Sequence, residues 1–135
     1  MFSSLRRRMV ALLAAVTVGA TLVAVTPAAA ADQRPSRISV FSSDYKVESG
    51  EEFVLRGRML SMGKAVAGAT VRVKTLRNGT WQQLTGAVVQ TRSDGRYRVR
   101  IVLGQTGLRD LRVVGDPKGD RIRIARDSLQ VRVVS

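Results

Sequence analysis

Hydrophobic and polar residues alternate with a period of two along much of the chain. In the stretch DGRYRVRIVL (94–103), apolar residues occupy positions 97, 99 and 101, and arginines occupy positions 96, 98 and 100. Neighbouring side chains of a strand point to opposite faces, so this stretch predicts a strand with one apolar and one basic face. The same alternation predicts strands at 53–60, 70–76, 111–114 and 129–134, and shorter extended pieces at 38–40 and 122–124.

Turn-forming sequences lie between these strands. They are SGEE (49–52), NG (78–79), SDG (93–95) and GDPKGD (115–120). About seven short strands separated by such turns, with no helical spacing after residue 31, predict an all-β chain that forms a single antiparallel β-sandwich. A small closed β-barrel is the alternative architecture.

The first 31 residues have the composition of a helical export signal. Three arginines (6–8) precede an uncharged apolar segment (9–25), and three alanines (29–31) lie just before Asp32. We therefore expect residues 1–31 to be a cleaved signal peptide and residues 32–135 to be one exported domain, extracellular or associated with the cell envelope. An uncleaved anchor is the alternative, because 17 residues lie at the lower end of the roughly 17 to 25 that span a bilayer. No transmembrane segment is expected in the mature chain.

The composition restricts the chemistry of this mature chain. Of the 23 basic residues in the whole sequence, three lie in the export signal, so 20 basic and 10 acidic residues remain and the net charge is +10. There is no cysteine and no histidine, which removes the strongest nucleophile and the commonest general base. We expect no catalytic residue, no metal site and no cofactor. Asp110, Asp116 and Asp120 were weighed as calcium ligands, but they fit ordinary turn positions better.

Four segments carry recognisable turn and core signatures. They are VESGEEFVLRGRM (47–59), GKAVAGATVRVKTLRNGTWQQL (63–84), TRSDGRYRVRI (91–101) and LRVVGDPKGD (111–120), with SLQVRVV (128–134) after them. Together they resemble the immunoglobulin-like (Ig-like) repeats of secreted and surface proteins of actinobacteria, and the middle segments are similar to carboxypeptidase regulatory-like sandwiches. The resemblance implies an Ig-like β-sandwich in which strand B (53–60) pairs with strand E (96–103). Its motifs imply no catalytic or ligand-binding chemistry.

The predicted strands contain nine basic residues and no acidic one. If strands B and E pair, five arginines share one outer face, and like charges on facing strands repel. These residues are Arg56, Arg58, Arg96, Arg98 and Arg100. They have two interpretations: a surface that binds a polyanion, or the solvent side of strands in an arginine-rich protein, where they also discourage pairing with other chains.

Two functions remain open from the sequence. The first is a non-enzymatic Ig-like module that acts through contact with an envelope protein or with the cell surface. The alternative is a basic module that binds anionic wall polymer, acidic polysaccharide or phosphate headgroups. Tyr45 is a possible aromatic contact residue, whereas Trp81 and Tyr97 are predicted to lie in the core. Nucleic acid is not expected as a partner, since no aromatic ladder accompanies the arginines, and we expect a monomer.

Overall fold

The computed structural model describes residues 33–135, which form ten strands and no helix. The predicted signal peptide lies outside the described residues. The strands are β1 (Arg37–Ile38), β2 (Phe41–Ser42), β3 (Lys46–Glu48), β4 (Glu52–Ser61), β5 (Lys64–Ala65), β6 (Thr70–Arg77), β7 (Thr80–Gln90), β8 (Arg96–Val102), β9 (Gly107–Asp116) and β10 (Ala125–Val134).

The strands form two sheets, as the prediction of a β-sandwich requires. In the first sheet β4 is central, and it pairs antiparallel with β8, with the short β5, and with β1 and β2. The second sheet has the order β3-β10-β9-β6-β7, in which β3 runs parallel to β10 and the other neighbours are antiparallel. The predicted pairing of strands B and E is confirmed, since they correspond to β4 and β8.

The core lies between the sheets and is built by the inward residues of the alternating strands. The largest fully buried side chains come from both sheets: Tyr97, Phe53, Leu55, Met59, Ile101 and Leu111. Every buried hydrophobic residue of this core lies between positions 38 and 133. Residues 33–135 thus contain a continuous hydrophobic core of their own.

Two sequence expectations about the strands need correction. The long strand β7 was not among the predicted strands, because its sequence TWQQLTGAVVQ does not alternate and its pairing with β6 shifts register near Gly86, which has a φ of +79°. An irregular strand of this kind lacks the period-two signal. The last strand also begins earlier than predicted, at Ala125, and the predicted extended piece at 122–124 contributes only a bridge between Ile122 and Arg34.

Candidate functional site

The pairing of β4 with β8 places arginines directly across from each other. Arg56 faces Arg98, and Arg58 faces Arg96; all four side chains are exposed on the outer face of the first sheet. Residues directly opposite in an antiparallel pair have Cα atoms only about 4.5 to 5.5 Å apart. The fifth predicted residue, Arg100, faces Val54 instead of another cation. We call the two facing pairs the first row (Arg56 and Arg98) and the second row (Arg58 and Arg96).

Carboxylates accompany some of these arginines but not others. Arg100 Nε lies 3.9 Å from Glu52 Oε2, and Arg96 Nε lies 3.8 Å from Asp94 Oδ2, in both cases between well-exposed side chains. Exposed pairs of this kind contribute little to stability. Among the described residues no carboxylate lies within 4.0 Å of the cationic nitrogens of Arg56, Arg58 or Arg98. The first row is therefore without a counter-charge from residues 33–135.

A tight turn before β8 lies next to the second row of arginines. Gly95 has a φ of +80°, its N–H donates to the carbonyl of Arg92 at 2.8 Å, and its own carbonyl accepts from the N–H of Met59 at 2.8 Å. The turn also brings the carboxylate of Asp94 to the N–H of Arg96 at 3.0 Å. This hydrogen bond, followed by the charges of Arg96 and Arg92, lowers the pKa of Asp94. Asp94 therefore remains ionised beside the second row.

The arginine rows lie in a groove of about 550 Å³ on the outer face of the first sheet. We call it the arginine groove; its lining residues are Ser39, Phe41, Ser43, Val54, Arg56, Gly57, Arg58, Arg92, Arg96, Tyr97 and Arg98. The sequence analysis missed Phe41 and Arg92. Phe41 had a signal, because continuing the alternation of inward Ile38 and Val40 places position 41 outward. Arg92 had none, since it lies in a turn outside every alternating segment.

Phe41 gives the groove an apolar side. Its side chain is 58% exposed, and it faces Arg56 across the pairing of β2 with β4. An exposed phenylalanine on a face that otherwise carries guanidinium groups is not explained by core packing. The groove therefore combines a row of cations with one aromatic surface.

A buried polar network forms the floor of the groove. The hydroxyl of Tyr97 passes beneath Gly57 and donates to the carbonyl of Ser39 at 2.5 Å, while the N–H of Val40 donates to Asp127 Oδ2 at 3.2 Å. A Cβ at Gly57 would lie 1.9 Å from the Ser39 oxygen and 2.8 Å from the Tyr97 oxygen. Strand β4 therefore needs glycine at position 57, and these hydrogen bonds join β8 and β10 to the connection between β1 and β2.

The environment of Tyr97 does not suit it to act as a nucleophile or a base. The side chain is 1% exposed, which agrees with the prediction that it lies in the core. Burial, and secondly the negative charge of Asp127, raise the pKa of Tyr97 above its ordinary value of 10.0. The phenol therefore stays protonated and donates its hydrogen bond at physiological pH.

Tyr45, predicted as a possible aromatic contact, does not line the arginine groove. It lies in the connection between β2 and β3, is 52% exposed, and its hydroxyl accepts a hydrogen bond from the N–H of Ser42 at 3.3 Å. Its backbone carbonyl also accepts from the N–H of Arg132. Tyr45 therefore lies apart from the arginine groove, and its role as an aromatic contact stays a prediction.

The prediction that Trp81 lies in the core is wrong. Trp81 is half-buried and faces Leu76 on the outer side of the second sheet, where the guanidinium carbon of Arg112 lies 4.0 Å from the centroid of its ring. On the same sheet Arg72 Nη1 lies 3.9 Å from Asp116 Oδ2. Arg72 and Arg112 thus have partners within residues 33–135, whereas Lys74, which faces Arg112 directly, has no carboxylate within 4.0 Å in that range.

Two of the three acidic residues considered as calcium ligands, Asp110 and Asp116, contact other side chains. Asp110 accepts the amide of Gln130 at 2.7 Å, and Asp116 pairs with Arg72. Within residues 33–135 no three acidic side chains group in a way that could hold a metal ion. In the same range, the structure contains no helix long and apolar enough to cross a membrane.

Comparison with known proteins identifies the fold and no family. No protein-family model matches the sequence, and no curated protein matches it at a significant level. A conjugative transposon lipoprotein from Bacteroides eggerthii is similar in structure, with 14% identity and a TM-score of 0.51 over 72% of this chain and 96% of that one. A chitin binding domain from Burkholderia pseudomallei is also similar, with 12% identity and a TM-score of 0.50 over 68% of this chain and 57% of the other. Similarity at this identity establishes the β-sandwich fold alone.

Proposed function

We propose that this protein is an exported, non-catalytic Ig-like module that acts by contact at the cell envelope, and that its arginine groove binds an anionic polymer. The export step rests on the signal-like sequence of residues 1–31. The non-catalytic assignment is supported by the absence of histidine and cysteine from the whole sequence.

One observation carries the polymer-binding proposal. Arg56 and Arg98 face each other directly, and no carboxylate among the described residues lies within 4.0 Å of either guanidinium group. Like charges at such positions destabilise a sheet by some tenths of a kcal/mol. An anion between them removes the repulsion and gains charge-assisted hydrogen bonds, which guanidinium groups form in a bidentate geometry with phosphate or carboxylate.

The experiment is chromatography of residues 32–135 on heparin and on a phosphate-bearing resin as a function of salt. We expect retention well above physiological ionic strength, with a steep dependence on salt because exposed ion pairs are screened. A triple variant, Arg56→Gln with Arg58→Gln and Arg98→Gln, should elute at much lower salt. Chitin, an uncharged polymer, should retain neither protein.

The matched control removes the same charge from exposed positions outside the groove: Arg77→Gln with Arg126→Gln and Arg132→Gln. We expect this control to elute close to the parent protein. If both triple variants lose the same retention, the binding follows net charge alone and the groove has no special role.

Contact with an envelope protein is the second candidate, and the Trp81–Arg112 stack favours it. Tryptophan and arginine are enriched among residues that dominate protein interfaces, and both lie on the outer face of the second sheet. A pull-down from envelope fractions should then return a partner that Trp81→Ala abolishes and the groove triple variant retains. A pull-down that returns no partner at low or moderate salt would remove this candidate.

A further inference from the structure

The distance between the two arginine rows restricts the distance between successive anionic groups of a bound polymer. The first row (Arg56 and Arg98) and the second row (Arg58 and Arg96) are two residues apart on both β4 and β8. Two residues of a strand cover about 7 Å. Anionic groups that engage both rows at once must therefore be about 7 Å apart along the direction of the strands.

Acidic residues limit the groove at both ends. Beyond the second row, Asp94 pairs with Arg96 and remains ionised. Beyond the first row, the next outward pair on the two strands is Val54 and Arg100, and Arg100 pairs with Glu52. Arg58 Nε also donates to the backbone carbonyl of Asp94 at 3.0 Å. The first row thus has no carboxylate partner, the second row has one carboxylate for two guanidinium groups, and together they offer room for two neighbouring anionic groups.

The exposed ring of Phe41 indicates which kind of linker joins the anionic groups of a bound polymer. It lies beside Arg56 in the groove with 58% of its surface exposed. A linker of carbon atoms between two anionic groups can cover part of this ring. A polymer in which anionic groups follow one another without carbon linkers leaves it in water.

We propose that the arginine groove binds a linear polyol-phosphate polymer, in which phosphodiesters are joined through three-carbon linkers, with one phosphate in each arginine row. This rests on the proposed binding of an anionic polymer. Six single bonds separate successive phosphorus atoms in such a polymer, and six bonds of an extended chain, as in two residues of backbone, cover about 7 Å. The repeat of the ligand then equals the separation of the rows, and each phosphate accepts hydrogen bonds from two opposed guanidinium groups.

Other anionic polymers fit these features less well. Single-stranded nucleic acid has the same number of bonds between phosphates, but it carries a base on each repeat, and the groove offers Phe41 as its one well-exposed aromatic ring. Acidic polysaccharides carry their charges on rigid rings joined by glycosidic bonds, so fewer bond rotations can adjust the spacing of successive charges to the rows.

The first test is calorimetric titration of residues 32–135 with glycerol-phosphate oligomers that contain one to four phosphates. We expect affinity to rise about tenfold or more from one phosphate to two, because the second phosphate binds as part of the same molecule. From two phosphates to four it should rise less than about threefold, since the groove has only two rows of opposed arginines.

The outcomes separate this inference from the proposed function. A steady rise through four phosphates, or equal affinity for polyglutamate of the same charge, would overturn the two-row inference while leaving anionic binding in place. Tighter binding of an oligothymidylate with the same number of phosphates would assign the groove to nucleic acid instead. If none of these probes binds at low salt, the proposed function itself fails.

A double-mutant cycle tests whether two arginines of one row share a phosphate. Arg56→Gln and Arg98→Gln should each weaken binding of the two-phosphate oligomer about tenfold. The double variant should weaken it much less than the product of the two losses, because the first substitution already disrupts the shared contact. The control pair, Arg56→Gln with Arg58→Gln, spans two rows, and its losses should multiply. Multiplying losses in both pairs would overturn the shared-phosphate geometry.

Discussion

The two outer faces of the sandwich carry the same alternation of basic residues and differ in what those residues contact. On the second sheet, Arg72 lies near the Asp116 carboxylate and Arg112 stacks on Trp81. On the first sheet, Arg56 faces Arg98, and no described carboxylate lies within 4.0 Å of either. Alternation alone therefore does not reveal whether an arginine is partnered within its own domain. The groups within reach of each guanidinium group decide it, and the residue directly opposite does not, since Arg112 stacks on Trp81 although it faces Lys74.

The largest expected effect is the loss of stability when a crowded glycine is replaced by alanine, and it should differ between the two sheets. Gly57→Ala places a Cβ 1.9 Å from the Ser39 backbone carbonyl, which cannot move without breaking the floor of the groove. Gly115→Ala meets the ends of the Met59 and Ile38 side chains at 2.8 and 2.9 Å, and these can rotate. We expect losses in the free energy of unfolding of about 3 kcal/mol for the first and about 1 kcal/mol for the second, measured by urea denaturation.

Gly104→Ala is the control for both glycine variants, because a Cβ there meets nothing within 4 Å and φ lies outside the left-handed region. It should unfold at nearly the same urea concentration as the parent. Equal losses for Gly57→Ala and Gly115→Ala would mean that the first sheet has no more rigid support than the second.

The second prediction concerns Tyr97 and the pH dependence of stability. Its folded pKa is raised, so its contribution is fully present below about pH 10 and is lost as pH rises above the unfolded value of 10.0. Tyr97→Phe removes the bond to Ser39, and it should lower stability by about 1 kcal/mol at pH 7. Its unfolding midpoint should then fall less steeply above pH 10 than that of the parent protein.

Thermal unfolding between pH 7 and pH 11 measures both effects. Tyr45→Phe is the matched control, because it removes a hydroxyl from a side chain that is 52% exposed, and it should unfold as the parent does. A Tyr97→Phe variant with the parent's full alkaline decline would show that Tyr97 does not hold its proton in the folded state.

The smallest expected effect is on the free energy of unfolding, which should change with opposite signs when an arginine is replaced on the two outer faces. Arg112→Gln loses the contact with Trp81, which outweighs the relief of its repulsion from the facing Lys74, and should lower stability by about 0.5 kcal/mol. Arg98→Gln relieves the repulsion from Arg56 and should raise stability by a few tenths of a kcal/mol at low salt. The gain should disappear in high salt. Loss of stability in both variants would mean that the two faces do not differ in their charge balance.

Much of the architecture could be predicted because alternation reports directly on burial. Val99 and Ile101 were expected to face the core, and both are buried; the turn sequences SGEE and SDG precede β4 and β8, as predicted. The failures have a shared physical cause. Strand β7 is irregular and Trp81 lies on an outer face, and in both cases packing against a neighbouring strand overrides the local pattern.

The candidate site could be predicted only in part. The four arginines of the two rows follow from alternation together with the pairing of strands B and E. Arg92 and Phe41 come from a turn and from a two-residue strand, and they join the groove only because β2 and the turn at 92–95 pack beside β4. Contacts between segments so distant in sequence leave no periodic signal.

The sequence by itself determined that this chain forms two layers of strands with arginines outside, because the period of two assigns each side chain to one face of a strand. Only the tertiary structure decided which arginines have partners. That depends on register, and the register of β4 against β8 sets Arg56 against Arg98 where a slip of two residues would set it against Arg96 or Arg100. The register follows from the packing of both sheets, including the Tyr97 hydroxyl against Ser39 beneath Gly57.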